Sequence, residues 1–312
     1  MADQMNVAVV IATMDRPEHL ERNIESLSRS RIPPAEVVIV DSSRGPETRE
    51  LVERWSDRWS AVHYLAAPKT GCSRARNLGV QSTATELVLI TDDDCLVHED
   101  CIGQVIRIFE EDPGAYCVTG AVHPHGTSRG QVAVATKSNP ERRAWNGKCR
   151  PWGIGHSVNM SFRREAYDWI GGFDEEMGPG TRLIAAEDLD LLYRLLRAGG
   201  RVVYQPEAII YHDQWRSRSE ARRRRGEYAQ GTAAFLLKHA LVYRDGYALR
   251  MMPARLWEDV PLLALIGLMK RNLELELVSL YQAWGLITGL WIAGRHYGWR
   301  RRAHAVAIAA NG

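Results

Sequence analysis

"ELVLITDDDC", residues 86–95, decides the fold: an almost unbroken apolar run passes directly into Asp92, Asp93 and Asp94. Such a run, with no polar alternation, predicts a strand buried on both faces, the habit of parallel sheets. Three adjacent carboxylates repel one another, and desolvating even one is costly unless a cation compensates it. Two readings fit the triplet: acids solvated in a loop, or a hard divalent cation held through oxygen ligands at a strand end. Similar runs occur at "NVAVVIAT" (6–13), "EVVIVDSS" (36–43) and "AVHYLAA" (61–67). Between the first two, "RPEHLERNIESLSRS" (16–30) places Leu20, Ile24 and Leu27 on one helical face, with Pro17 suited to the first turn and Asp15 to the N-cap. Strand and helix alternating at this spacing predict a doubly wound, mostly parallel α/β sheet. Ligands of such sheets bind at the carboxyl ends of the strands. Thr13–Asp15, Asp41–Ser43 and Asp92–Asp94 all fall at such ends, so the polar clusters are expected to converge on one crevice.

The chain has 312 residues and a formal net charge of +2, enough length for real cores and too little charge to select a partner. Its 5 cysteines form no CxxC pair, which argues against a zinc site or a disulfide framework and for a reducing compartment. The N-terminal "MADQMNVAVVIAT" lacks a basic region before its short apolar stretch, so a cytoplasmic protein is expected rather than a secreted one.

Beyond about residue 120 the pattern loosens. "HPHGTSRGQV" (123–132) and "SNPERRAWNGKCRPWGIG" (138–155) are rich in turn residues and read as loops. "AAEDLDLLYRLLRAGG" (185–200) predicts a helix with a stripe of Leu189, Leu192 and Leu196 and a stop at Gly199 or Gly200. "RVVYQPEAIIYH" (201–212) is extended, and from Asp213 the chain turns Arg-rich and then helical and apolar. The expected organisation is a sheet domain over 1–212, with a nucleotide-binding half to about 120 and an acceptor half over 121–212, followed by a C-terminal helical extension over 213–312.

Individual polar residues admit both a chemical and a plain structural role. Asp41 is either a turn residue or an acceptor for a base or ribose. "TGCSRARNLG" (70–79) brings Arg74, Arg76 and Asn77 to a loop–helix junction, where arginines and a helix N-terminus favour anions; a solvated helical face is the competing reading. Glu187 and Asp188 either complement the dipole of their helix or follow a glycine-rich loop that delivers a general base.

Taken in order, "VVIATMDR", "VIVDSS", "SRARNLG", "LITDDDC", "GHSVNMSFRRE", "GGFDEEMGPGT", "EDLDLLYRLLRAGG" and "IIYH" resemble the family 2 glycosyltransferases of the GT-A, Rossmann-like fold, over about residues 6–212. The resemblance implies inverting transfer of a sugar from a nucleoside diphosphate donor, UDP by default, to an acceptor hydroxyl. By position it implies that Thr13, Asp15, Arg16 and Asp41 line the nucleotide, with Arg76 at the nucleotide or diphosphate. Asp92 and Asp94 match the DxD motif, with Asp92 and the variable Asp93 on the nucleotide side and Asp94 a ligand of Mg²⁺ or Mn²⁺. His212 matches a second metal ligand. Asp188 matches the catalytic base, and Gly172, Phe173, Asp174 and Glu187 match the acceptor side. One rival reading is a non-catalytic nucleotide-sugar binding module. The other is a sugar-1-phosphate nucleotidyltransferase, which is weakened because "ATMDRPEH" lacks the glycine-rich loop of that class.

Two C-terminal features lie outside the resemblance. Six arginines fall between 216 and 225 and suit a solvated face, anionic lipid head groups or a phosphorylated acceptor. No aromatic interleaving accompanies them, so nucleic acid is not expected. "LVSLYQAWGLITGLWIAG" (277–294) carries no charge and fits a helix at the membrane surface, a packed core or homodimer interface, or a span. The acceptor implied is correspondingly open: a glycan, a lipid-linked acceptor at the cytoplasmic face of the membrane, or a small metabolite.

Overall fold

The computed structural model describes residues 5–126, 135–213 and 216–310, without the side chains of 255–259 and 299–310. Residues 127–132 of the loop expected at 123–132 lie outside the described residues. Contacts divide the chain into two compact units, Met1–Glu175 with Asp190–Trp215, and Glu176–Leu189 with Arg216–Gly312.

Among the described residues, the first unit is built on one mixed sheet of nine strands, and the predicted α/β class holds. Strands β1 (Val7–Thr13), β2 (Glu36–Asp41), β3 (Val62–Ala66) and β4 (Leu87–Asp92) pair in parallel in the order β3-β2-β1-β4. Successive residues of these strands enter opposite cores. Val9, Ile11, Ile39 and Leu89 pack on one face with Leu20, Ile24 and Leu27 of α1 (Pro17–Ser28), Leu51 and Val52 of α2 (Glu47–Arg58) and Ile102 of the Cys101–Glu111 helix. Val10, Val38, Val88 and Ile90 pack on the other face with Ala75 and Val80 of α3 (Cys72–Gln81). Two buried faces explain the lack of polar alternation in the sequence.

Beyond β4 the sheet continues through β5 (Cys95–Val97), α4 (Cys101–Glu111), β6 (Ala115–His125), β7 (Arg143–Asn146), β8 (Met160–Arg163) and β9 (Arg201–Asp213), in the order β4-β8-β6-β9-β5 with β7 on β9. β8 runs antiparallel to both β4 and β6, whereas β6 and β9 are parallel. The loop readings of 123–132 and 138–155 are corrected here, because His123–His125 complete β6 and Arg143–Asn146 form β7. The partner strand β9 supplies their hydrogen bonds, and local turn propensity cannot register that. Asp15 is likewise not the N-cap of α1. That position belongs to Arg16, while Asp15 sits at φ 54° and accepts the Arg44 amide at 3.1 Å.

After α5 (Arg164–Ile170), helix α6 (Glu187–Arg197) ends as expected: Gly199 at φ 96° donates to the Leu196 carbonyl and Gly200 to that of Leu195. Its buried face is broader than the predicted stripe, comprising Leu191, Leu192, Leu195 and Leu196, while Leu189 is only half-buried.

The second unit contains α7 (Arg218–Leu241), α8 (Gly246–Asp259), α9 (Pro261–Met269) and α10 (Leu273–Ala310). A capping box opens α7: Ser217 Oγ accepts the Glu220 amide, and the Glu220 carboxylate accepts the Ser217 amide at 2.8 Å. From Arg218 onward the arginine run is therefore helical. Glu176–Leu189 joins this unit because Ala185 lies against Gly231 of α7, where an added Cβ would stand 2.5 Å from the Ala185 carbonyl.

Candidate functional site

The aspartate triplet forms the turn between β4 and β5. Asn23 of α1 shapes it by donating from Nδ2 to the carbonyls of Asp92 and Cys95, each at 2.9 Å. Thr13 Oγ1 donates to Asp93 at 2.8 Å, and the Arg16 guanidinium reaches Asp93 at 3.0 Å and Asp94 at 3.4 Å. Arg76, 2% exposed on α3, pairs with Asp92 at 2.7 Å. Two arginines thus compensate the three acids. Burial still pushes the Asp93 carboxyl up to about 7; Arg16 opposes that shift and the neighbouring Asp94 adds to it.

The backbone brings a further group to Asp94. Antiparallel pairing sets His212 of β9 opposite Cys95, and His212 Nε2 stands 3.3 Å from Asp94 Oδ1, with both side chains buried. Ligand atoms of Asp94, Cys95 and His212 lie within 4.8 Å of one another. Burial, reinforced by Asp94 and Asp92, pushes the Cys95 thiol well up, and a soft sulfur donor suits Mg²⁺ or Mn²⁺ poorly beside harder oxygen and nitrogen donors. The donor set that fits a cation is then a carboxylate oxygen and an imidazole nitrogen, compatible with Mn²⁺ and less so with Mg²⁺, which prefers oxygen throughout.

Around this centre lie the other residues expected to meet a nucleotide. Asp41 is buried, accepting the Ser43 amide at 2.8 Å and the Tyr64 hydroxyl at 3.1 Å. Asp15 donates its amide to Ser43 Oγ at 2.7 Å, tying the ends of β1 and β2 together. Asn77 holds the 171–175 segment: its Oδ1 accepts from the Phe173 amide at 2.9 Å and the Tyr167 hydroxyl at 2.5 Å, and its Nδ2 donates to the Phe173 carbonyl at 2.9 Å. Phe173 itself is 2% exposed and lies under Arg76, the guanidinium carbon 5.3 Å from the ring centroid. Its place is therefore to support Arg76, and Gly172 is equally enclosed, since a Cβ there would stand 2.8 Å from Asn77 Oδ1. Asp174 is the half-exposed acid of this segment.

In the second unit, Glu187 and Asp188 open α6. Glu187 is buried and Asp188 half-buried, with Asp188 Oδ1 accepting the Leu189 amide at 2.8 Å. The preceding loop is shaped by Gly178 at φ 98° and Gly180 at φ 87°, and by Thr181 Oγ1 donating to the Gly178 carbonyl at 2.9 Å. The Tyr228 hydroxyl of α7 lies within electrostatic range of Glu187, Asp188, Arg216 and Arg224.

Sequence reading missed Asn23, Tyr64, Tyr228 and His156. The histidine is in the first unit, where burial, with help from the positive charge of Lys137, brings its pKa down to about 4. An unfolded His156 would titrate near 6.5. Protons then bind the unfolded chain preferentially, so the group costs nothing above about pH 6.5 and its stability contribution is lost as pH falls towards 4. Discounted for partial exposure of the ring, the loss should be on the order of 2 kcal/mol. Urea unfolding at pH 7 and pH 5 should show a clearly smaller pH dependence for His156→Gln than for the unaltered chain; equal dependence would assign the effect to other groups.

A family model described as glycosyl transferase family 2 matches residues 8–171. Among curated proteins, the chain is 27% identical over 229 residues to the glucosyl-dolichyl phosphate glucuronosyltransferase of Haloferax volcanii, covering 69% of this chain and 72% of that protein. Among solved structures, the mannosyltransferase PcManGT from Pyrobaculum calidifontis, in complex with GDP-Man and Mn2+, superimposes with a TM-score of 0.63 at 20% identity, over 93% of this chain and 88% of that one. S. aureus TarS 1-349 in complex with UDP-GlcNAc superimposes with a TM-score of 0.55 at 17% identity, over 76% and 73% of the two chains.

Proposed function

The chain belongs to glycosyl transferase family 2, and from that premise we propose that it is an inverting, metal-assisted enzyme that moves a sugar from a nucleoside diphosphate, UDP by default, to an acceptor hydroxyl. The observation that carries this reading is the pair of buried groups, Asp94 and His212, at the carboxyl ends of β4 and β9 beside Asp92, Asp93, Arg76 and Arg16. The complexes of related folds with GDP-Man and Mn2+, and with UDP-GlcNAc, support the donor class and the cation.

Asp94 and His212 would hold the metal, which when bound supplies positive charge to the diphosphate leaving group. Asp41, Asp15 and Thr13 orient the nucleoside at the ends of β1 and β2. Arg76, and Arg16 once released from the acids, stabilise the departing diphosphate by charge-assisted hydrogen bonds. Asp188 takes the proton of the acceptor hydroxyl while that oxygen attacks the anomeric carbon, and the bond to the diphosphate oxygen breaks on the opposite face. One base and one displacement give inversion without a covalent sugar–enzyme intermediate. Asp174 and Glu187 fall to the acceptor side. A cytoplasmic enzyme acting on a glycan, a lipid-linked acceptor or a small metabolite follows. The family assignment favours neither the binding-module nor the nucleotidyltransferase alternative.

A panel of nucleotide sugars with Mn²⁺ or with a chelator tests this by thermal unfolding. At about a hundredfold excess over Kd, the matching donor should stabilise the chain by roughly 2.7 kcal/mol, a shift of several degrees that disappears with the chelator. If no nucleotide sugar shifts the transition under either condition, the donor class is wrong.

A further inference from the structure

The second unit presents an apolar helical face that the transfer reaction does not use. Leu280, Trp284, Ile287 and Trp291 of α10 are 64%, 69%, 61% and 63% exposed. Their spacing of four, three and four residues puts them on one stripe. The opposite face of α10 is taken by α7. An added Cβ at Gly285 would meet the Gly226 carbonyl at 2.0 Å, and one at Gly289 the Gln230 carbonyl at 2.3 Å. The stripe is therefore left over once the helix pair is packed. α9, which meets α10 at Gly267, adds exposed Leu265 and Leu268 at 52% and 64%.

Charge brackets this apolar surface. Lys270 and Arg271, both exposed, form the α9–α10 turn at one end of the stripe. At the other end the exposed Arg295 guanidinium lies 5.2 Å from the centroid of Trp291. The neighbouring α7 carries Arg218, Arg223 and Arg225 in exposed positions. None of the four stripe residues is polar, and two are tryptophans. Apolar side chains with tryptophan, flanked by cations, match the boundary between acyl chains and anionic head groups; the acids nearby, Glu274 and Glu276, are confined to the first turn of α10, and Glu274 is paired with Arg222.

A crossing is disfavoured by the same packing. Leu273–Gly298 is long and apolar enough to span a bilayer, and 33% of that stretch is buried. However, α7 runs alongside it in the same direction, with Arg222 pairing Glu274 at 2.7 Å, Gly226 at Tyr281 and Gly285, and Leu237 at Gly294. A spanning α10 would draw the arginine run of α7 into hydrocarbon, an expensive place for charge. We infer that the α9–α10 face lies in the plane of an anionic bilayer surface, inserting Leu280, Trp284, Ile287 and Trp291 into one leaflet beneath head groups bound by the flanking arginines and lysine. The inference stands whether or not the transferase reading does.

The test uses the full chain, vesicles of phosphatidylcholine with roughly a third phosphatidylglycerol, and vesicles of phosphatidylcholine alone. The chain should sediment with the anionic vesicles, be released by about 0.5 M salt, and bind neutral vesicles at least about tenfold more weakly. Lipids brominated near the head-group end of the acyl chain should quench its tryptophan fluorescence, and those brominated near the chain end should not. The variant with Leu280→Ser, Trp284→Ser, Ile287→Ser and Trp291→Ser changes only exposed positions. It should keep its thermal transition and lose vesicle binding at least about tenfold. Three results would overturn the inference. The chain could stay in the supernatant at low salt. It could bind so that alkali and salt both fail to release it while deep bromine quenches, which marks a span. Or the variant could convert a dimer to a monomer while vesicle binding persists, which makes a second copy the occupant of the face.

Discussion

Asp188→Asn is expected to fold, to bind nucleotide sugar as the unaltered chain does, and to turn over at least about a hundredfold more slowly, the scale of general-base loss. An acceptor hydroxyl is a poor nucleophile and must shed its proton as the new bond forms. Asparagine keeps the shape of the side chain and can still accept the Leu189 amide at the start of α6, now made by Asp188 Oδ1 at 2.8 Å, so the helix should not suffer. What it lacks is an oxygen able to take a proton. Asp188 is preferred over Glu187 because it is half-buried where Glu187 is 6% exposed, which leaves the aspartate the more accessible of the two. Steady-state kinetics separate the outcomes. A fall in kcat with donor KM unchanged fits the assignment, whereas near-normal turnover would move the role to Glu187.

Asp94→Ala should abolish metal-dependent donor binding, weakening it at least about a hundredfold, or roughly 2.7 kcal/mol. The change removes the oxygen that stands 3.3 Å from His212, leaving a lone imidazole as protein ligand. It should not unfold the chain. Arg16 keeps its 3.0 Å bond to Asp93, and one of three mutually repelling carboxylates is gone. Calorimetric titration with a nucleotide sugar and Mn²⁺ reads the affinity, and thermal unfolding without ligand reads the fold. An unchanged affinity would remove Asp94 from the site.

Much of this was legible in the sequence because burial on both faces leaves a plain mark. β1, β2, β3 and β4 are apolar runs, and their polar ends contain Thr13, Asp41 and Asp92–Asp94. Helix α6 announced its own end through Gly199 and Gly200. The residues that escaped notice act through distant partners. Asn23 reaches the Asp92 carbonyl across 69 positions, and Tyr167 reaches Asn77 across 90. No local pattern distinguishes such an asparagine from a solvated one. β7 was hidden for the same reason, as its hydrogen bonds come from β9. Asp15 looked like a cap because capping residues are read from type and spacing, whereas its left-handed backbone turns it to Arg44 instead. In 277–294 the absence of charge fits a surface helix, a packed core and a span alike, because a sequence does not show which face of the helix is covered. Gly285 and Gly289 are where α7 approaches, so they report packing on one face and leave the tryptophans on the other.

A metal-assisted displacement with inversion, with Asp188 as its base, would leave a stereochemical mark on the sugar that is released. The most direct measurement follows the slow hydrolysis of whichever α-linked nucleotide sugar stabilises the chain, with Mn²⁺ present and water in place of the acceptor, by proton NMR of the anomeric signals. The β-anomer of the free sugar should appear first, before mutarotation mixes the two, and Asp188→Asn should slow its appearance at least about a hundredfold. First appearance of the α-anomer, or release that neither a chelator nor Asp188→Asn affects, would contradict it.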